Sequence, residues 1–518
     1  MRLCSAAEMI SFDRQAILEL GMPGTVLMET AGRACCDRFV ATFSKLLPGT
    51  ILIVAGKGNN GGDGYVMARV LADRGCQVVV LILGSEADIS GDAKVMLQIT
   101  KNMGIAIHFV TTVEGLNQSF CGVNPAIIVD AIFGTGLKST VRGLQEEAIK
   151  RINESTAAVF SVDIPSGVDG SNGRVCGVAV QADMTVTFDH AKIGHGSMPG
   201  AAYTGELCVV DIGIPKTGRP EFVTAVNLLD QKLVQSLLPQ RSPCGHKGKF
   251  GHLLVVAGSP GKTGAAALAG NSGVRSGCGL VTVATPAKIH DIIEVKLTEA
   301  MSVKLSDQNG FLIFGAAAQI EELLAERQAL AIGPGLGQSP ALSDVLVALI
   351  RNTQVPIVID ADGLNLLVGQ LDCLSQERDH QIVLTPHPGE MARLTGLTIA
   401  EIEADRFNVA QEFATKHNVV LVLKGSRTII AAPDQRVNIN TSGNDGLASG
   451  GSGDVLTGLI GGLLAQGLTG FSAASLAVWL HGRAAELVAV HQGTAGMAAS
   501  DLLSQLPVAR AELAKGVF

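Results

Sequence analysis

Residues 50–74 read TILIVAGKGNNGGDGYVMARVLADR. The run Thr50–Ala55 is short, apolar and rich in β-branched residues, the pattern of a strand buried on both faces of a parallel sheet. It passes directly into the glycine-rich stretch Gly56–Gly64, a helix-like segment follows over Tyr65–Arg74, and Gln77–Leu83 is apolar again. Strand, glycine-rich loop, helix, strand is the unit from which open parallel sheets are built. Gly56, Gly58 and Gly61 fit the G-x-G-x-x-G spacing that lets a backbone approach a pyrophosphate at a helix start. Asn59, Asn60 and Asp63 add side-chain oxygens that a plain dinucleotide loop does not need. Polar recognition or a bound cation accounts for them; so does an ordinary solvated turn.

On either side of this unit the pattern continues. Apolar spacing over residues 8–40 suits helices. Ala126–Val129 runs into Asp130, and Ala158–Val162 runs into Asp163, Ser166 and Asp169. Met184–Phe188 and Leu207–Val210 complete a sheet of about six to eight strands. In such a sheet ligands sit beyond the carboxyl ends of the strands. Asp130 and Asp163 both fall there, and with Asn60 and Ser166 they offer hard oxygen ligands for a cation. Lys192 is a further candidate charge, although solvent exposure is its expected state.

Proline, glycine and basic residues gather in IPKTGRP and LLPQRSPCGHKGKFG between 214 and 251, which places a domain boundary near 220–240. The expected domains are 1–222 and 223–518. Beyond the boundary, strand signals recur: residues 252–257 into GSPGKTG, 280–284, 329–332 into GPGLG, 356–359 into Asp360 and Asp362, 382–385 into PHPGE, and 419–423 into KGSRT. This is a second α/β domain. Gly261-Lys262-Thr263 invites a Walker A reading, but the required first glycine falls at position 256, which is Val. His387 is held between two prolines at a strand end, and Lys424 at the tip of a strand suits a phosphate contact or a plain surface charge.

The segment 440–458, NTSGNDGLASGGSGDVLTG, sets Asp454 directly behind Gly450-Gly451-Ser452-Gly453 and ahead of an apolar run. Small residues give amide N–H groups room to converge on an anion, and a helix beginning here would point its positive end at the same spot. Asp454 is then placed to take a proton from a hydroxyl attacking a phosphate. A glycine-rich turn capped by an aspartate is the plainer reading.

The 518 residues carry 47% hydrophobic and 17% charged side chains, enough for a large core. A net charge of −8, one Trp and two Tyr argue against nucleic-acid or anionic-membrane surfaces. The 10 cysteines are scattered without a C-x-x-C, as expected of reduced thiols in a cytoplasmic protein. No secretory leader or membrane-length apolar run is apparent.

In order along the first half, LMETAGRA, GKGNNGGDG, DAIFGTG and SVDIPSGVDG resemble the N-terminal domain of the NAD(P)H-hydrate epimerases, the YjeF-N family. The resemblance covers most of residues 1–215 and implies a Rossmann-like three-layer α/β/α sandwich. It implies that Asn59, Asn60, Gly61, Gly62 and Asp63, with Gly134, Thr135, Gly136, Leu137, Lys138, Ser139 and Thr140, cradle the damaged dinucleotide. It implies that Asn60, Asp130 and Ser166 hold K+, and that Asp163 lies at the nicotinamide and moves the proton.

Over residues 245–510, AGSPGKTGAA, IGPGLG, IDADGLNLL, LTPHPGEMARL, LKGSRT and GGSGDVLTG resemble the YjeF-C dehydratases of the ribokinase-like fold. The implied nucleotide contacts are Lys424, Gly425, Ser426, Arg427, Thr428 and Gly453. Ala265, Gly337, His387 and Asp454 would face the hydrate, with Mg2+ and ADP as the implied partners. Asp445, Leu447, Ser449 and Ser452 stand where that family pattern has Pro, Met, Thr and Thr.

Together the halves imply a repair enzyme for hydrated NADH and NADPH: epimerisation of the R and S hydrates, then dehydration of the S form with ADP going to AMP and phosphate. An assembly of identical chains is expected. The rival readings are a ribokinase-like small-molecule kinase fused to a noncatalytic dinucleotide-binding domain, and a noncatalytic sensor or scaffold.

Overall fold

The structure, a computed structural model, describes residues 1–216, 221–375 and 378–516, without the side chain of Cys121. Residues 217–220 of the expected linker lie outside these. The chain forms two compact units, Arg2–Val226, and Asn227–Phe518 together with Met1.

The first unit holds strands β1 (Thr50–Ala55), β2 (Val78–Leu83), β3 (Ala106–Val110), β4 (Pro125–Ala131), β5 (Ala158–Val162), β6 (Met184–Phe188) and β7 (Glu206–Val210). They lie parallel in the order β3-β2-β1-β4-β5-β6-β7. Strand β1 is apolar from Ile51 to Ala55 because each of its faces has a helix layer to meet. Ile51, Ile53 and Ala55 pack with Leu27, Phe39 and Val66 of helices α2 (Gly24–Phe43) and α3 (Asn59–Asp73), while a first helix, α1 (Ala6–Leu18), precedes them. Leu52 and Val54 instead pack on the opposite face with Ile149 and Ile152. After β1 the chain runs outward through β2 and β3, then returns to β4 on the other side. A crevice therefore opens beyond the carboxyl ends of β1 and β4.

Two features differ from the sequence reading. The helix after β1 begins at Asn59 rather than Tyr65, so the glycines belong to its first turns. Their use is close packing: a Cβ on Gly61 would sit 2.1 Å from the Gly56 carbonyl oxygen. Asp130 lies inside β4, paired in register with Val54 and Ser161, and is fully buried.

The second unit holds β8 (His252–Val256), β9 (Leu280–Pro286), β10 (Met301–Leu305), β11 (Ala329–Ile332), β12 (Ile357–Ile359), β13 (Ile382–Leu384), β14 (Val420–Leu423), β15 (Ile429–Ala431) and β16 (Arg436–Ile439). Their order is β10-β9-β8-β11-β12-β13-β14-β15-β16, parallel as far as β14 and antiparallel beyond it. Helix α4 (Thr263–Arg275) lies against the later helix α6 (Ser452–Ala465), whose residues Val455–Ala465 are all buried. Such close approach needs small side chains on both helices. No described helix is long and apolar enough to cross a membrane, and the cysteines described are free thiols.

At Gly458 a Cβ would meet the Ala269 carbonyl oxygen at 2.0 Å. Gly458→Ala, which helix propensity alone would make stabilising by about 1 kcal/mol, is therefore expected to destabilise the second unit by about 1–3 kcal/mol. The midpoint of its denaturant unfolding transition is the readout.

Candidate active sites

In the first unit a cavity of about 580 Å³ opens at the carboxyl ends of β1, β4 and β5. Asn59, Asn60, Asp63, Asp163 and the whole of Gly134–Ser139 line it. Gly61 and Gly62 do not: their missing Cβ atoms face Gly56 and the Met28 sulfur. Thr140 lies outside it too, its methyl packed by Gly177.

Asp163 follows β5 with φ +67°, a left-handed conformation unusual for an aspartate and held by its bonds. Its Oδ1 accepts from Lys192 Nζ at 2.7 Å and from the Thr187 hydroxyl at 3.1 Å. Its Oδ2 accepts from the Thr135 amide at 3.1 Å and the Thr135 hydroxyl at 2.8 Å. Burial pushes this carboxyl up, but the Lys192 ammonium and these bonds outweigh it and hold it at about 2. Lys192 corrects the sequence reading: it is 1% exposed, not solvated, and also donates to Thr187 Oγ1 at 2.7 Å. A long cation reaches this depth because a carboxylate and two further oxygens complete its donor set. His195 locks the pair from behind. Its Nδ1 accepts from the Lys192 amide at 2.9 Å, so Nε2 carries the proton and donates to the Asp163 carbonyl at 2.9 Å. Burial, then Lys192, drives its pKa down to about 3 and keeps the ring neutral.

Asp130 accepts from Ser166 Oγ at 2.5 Å, from the Ser166 amide at 2.8 Å and from Ser161 Oγ at 2.9 Å. Asn60 is buried with neither amide atom hydrogen-bonded. Its Oδ1 would be 3.3 Å from a Cβ on Gly134, and Asp163 Oδ2 3.2 Å from the same point, so only glycine leaves that space open.

Sequence reasoning missed helix α1 as a wall of this cavity. Met9, Ile10 and Asp13 line it. The signal was present: Asp13 falls among Met9, Phe12 and Ala16 on the buried face of an amphipathic helix, where a carboxylate has no structural use.

The second unit has a cavity of about 510 Å³ lined by Ala265, His387 and Asp454, as well as Lys262, Asp362, Glu390 and Arg393. Gly451 enters α6 with φ +92°, and a Cβ there would strike Leu268 at 2.6 Å. The first turn of α6 thus meets the cavity with its amides free of side-chain caps. Asp454 sits in that turn with no hydrogen-bond partner among the described residues. Burial first, then Asp360, raises its pKa to about 7, although Lys424 pulls the other way. Lys424 Nζ binds Asp360 Oδ1 at 2.9 Å, and Thr457 Oγ1 donates to Asp360 Oδ2 at 2.6 Å. Burial opposes the lysine's charge, but Asp360 and Glu390 outweigh it and hold the ammonium above its ordinary range.

His387 caps the helix α5 (Pro388–Thr395): its Nδ1 accepts from the Gly389 amide at 3.0 Å, and its own amide donates to Glu390 Oε2 at 2.8 Å. Gly337 does not line the cavity but donates its amide to Asp362 Oδ2 at 2.8 Å, beside the Lys262 ammonium. Lys424–Thr428 and Gly453 also lie outside the cavity wall. Gly453 is where they approach it, since a Cβ there would be 3.3 Å from Lys424 Nζ. His481, missed from sequence, supports the glycine-rich turn by donating to the Ser452 carbonyl at 3.0 Å.

The description of the NAD(P)H-hydrate dehydratase family matches residues 253–508, and that of the YjeF-related protein N-terminus matches residues 24–194. The bifunctional NAD(P)H-hydrate repair enzyme Nnr of Moorella thermoacetica is 44% identical over 510 residues, 98% of this chain and 96% of its own length. The enzyme of the same description from Escherichia coli K12 is 35% identical over 455 residues, 88% of this chain and 84% of its own. Among solved structures, an ADP/ATP-dependent NAD(P)H-hydrate dehydratase of Bacillus subtilis co-crystallised with ATP and Mg2+ is 34% identical, with TM-score 0.49, over 55% of this chain and 98% of that one. With its two halves matched in order and relatives alike along nearly their whole length, the chain belongs to the family of bifunctional NAD(P)H-hydrate repair enzymes.

Proposed function

We propose that this chain restores hydrated NADH and NADPH: the first unit interconverts the R and S hydrates, and the second dehydrates the S form with ADP. The observation that carries this reading is Asp454. It is an unpartnered carboxyl raised to about 7, in a cavity, in the first turn of a helix. A base with that pKa is matched to proton removal near neutral pH.

In the second unit Asp454 takes the proton of the ring hydroxyl as its oxygen bonds to the terminal phosphorus of ADP, and the anhydride bond breaks to release AMP. The ring C–O bond then breaks with the ring nitrogen's electron pair behind it, phosphate leaves, and loss of a proton from the neighbouring carbon restores the dihydropyridine. The α6 amides and Lys424 oppose the charge developing on the phosphoryl oxygens. His387, whose pKa partial desolvation lowers against the pull of Glu390, lines the hydrate side with Ala265. Gly337 acts through Asp362, and Lys424–Thr428 with Gly453 form the nucleotide side.

Among the described residues no three His, Cys, Asp or Glu side chains converge in this cavity for a protein-only metal cage. Mg2+ needs none, since one or two carboxylates and nucleotide phosphates suffice; Glu390 and Asp362 on the cavity wall would hold it, and it would neutralise phosphate charge. In the first unit, the orphaned amide of Asn60 fits a cation, with Asp130 and Ser166 as the further oxygens. K+ is the ion we propose there. Asn59, Asp63 and Gly134–Ser139 would hold the dinucleotide, Gly61 and Gly62 would keep their helix close, and Thr140 would close the loop. Asp163 would lie at the nicotinamide. A cytoplasmic location and a homo-oligomeric state complete the proposal.

Incubation of the chain with ADP and (S)-NADHX is expected to recover absorbance at the NADH band. A plain kinase would accumulate a phosphoester and recover none. Asp454→Asn is expected to lower kcat at least about 100-fold, with AMP affinity by calorimetry nearly unchanged. Wild-type kcat should rise as pH passes upward through about 7, because only the ionised carboxyl accepts the proton; an acid limb persisting in the variant refutes the assignment. For the first unit, exchanging K+ for a bulky organic cation is expected to slow R-to-S conversion measured without ADP, and Asn60→Ala to remove the dependence on K+.

A further inference from the structure

We propose that Asp13 is the proton acceptor and Asp63 the proton donor of the epimerising cavity, with the Asp163–Lys192 pair a fixed positioning element. This rests on the epimerase reading of the first unit. The starting point is the acceptor capacity of Asp163. A carboxylate offers about four lone-pair sites, and the Asp163 carboxylate already accepts four hydrogen bonds, from Lys192, Thr187 and twice from Thr135. No site remains for the proton of a substrate hydroxyl. Its pKa of about 2 makes it a poor base as well.

Two other carboxyl groups line the same cavity, Asp13 from α1 and Asp63 from α3. Neither has a hydrogen bond or ion pair among the described residues. Asp63 is 8% exposed, and Asp130, which lies deeper still, is by contrast bonded to Ser161 and Ser166. The charges facing Asp13 are Lys192 on one side and Asp163 and Asp189 on the other; those facing Asp63 are Asp163, Asp13 and Lys192. The one ammonium among them is committed to Asp163, so two carboxyls are left without a counter-charge. Burial and these neighbours therefore raise Asp13 to about 6 and Asp63 well above its ordinary value. Asp13 is thus an available base near neutral pH, and the deeper Asp63, favoured in its neutral form by burial and by Asp163 and Asp13, is the group placed to give a proton, as inversion of one carbon requires.

Water adds to the enamine of the reduced ring at the carbon next to the ring nitrogen, so the hydroxyl and the nitrogen share one carbon. Asp13 takes the hydroxyl proton, a C=O bond forms, and the C–N bond breaks with its electron pair going to nitrogen. Asp63 protonates that nitrogen. After rotation of the freed carbonyl, nitrogen attacks its other face, returns its proton to Asp63, and the oxygen takes the proton back from Asp13. Atoms and electrons balance without any further reactant.

The test uses the full-length chain without ADP, starting from (R)-NADHX and following the S form chromatographically across pH 5–9. Asp13→Asn is expected to lower kcat at least about 100-fold with KM within about threefold. It should also abolish the fall in wild-type kcat below about pH 6. Asp13→Glu should recover part of the rate, and Asp63→Asn should lower kcat while keeping the acid limb. Asp13→Asn with kcat within about threefold of wild type, or with its acid limb intact, overturns the inference alone. A wild-type chain that interconverts nothing overturns the epimerase reading and this inference with it.

Discussion

In each unit a lysine, fully buried in the first and half-buried in the second, is bonded to one strand-end aspartate, and at least one carboxyl beside it is left without a hydrogen-bonded partner. Lys192 is committed to Asp163 in the first unit and Lys424 to Asp360 in the second. One cation placed among several acids neutralises one of them strongly and the rest weakly, because Coulomb attraction falls with distance while desolvation acts on all. Asp163, the paired aspartate of the first unit, is driven towards permanent charge. The unpaired ones are driven upward: Asp13 to about 6 and Asp63 well above its ordinary value in one cavity, Asp454 to about 7 in the other. The same arrangement thus creates both the rigid anchor and the titrating groups of each site.

The scaffold makes that arrangement possible at modest cost. Parallel strands end together, so acids that are distant in sequence meet at one rim. The backbone there is unusual where it has to be: Asp163 and Ala361 hold positive φ, and Gly451 lets α6 begin against Leu268. Behind the rim, neutral histidines act as spacers. His195 and His481 each bond a backbone carbonyl of the turn they support, and burial keeps both uncharged. Neither adds a competing charge to the balance set by the lysines.

Much of this was legible beforehand. Apolar runs into glycine and aspartate marked the strands and their functional ends, and motifs in order pointed to the family. The residues that escaped share a feature. Lys192 read as a surface lysine because its partner lies 29 residues away at another strand's end. Asp13 and Glu390 were not singled out, because the cavities they line exist only in the folded chain. The glycine-rich run after β1 suggested a loop, yet Gly61 belongs to a helix whose close packing excludes any side chain.

Local chemistry settles by itself what one segment can do: periodicity selects strand or helix, small residues permit close approach, and an aspartate after a strand has a defined place. Which carboxyl keeps its proton is a different kind of quantity. It depends on burial and on the distances among Asp13, Asp63, Asp163 and Lys192, four side chains from four separate elements, and those distances exist only once the sheet has brought its strand ends together.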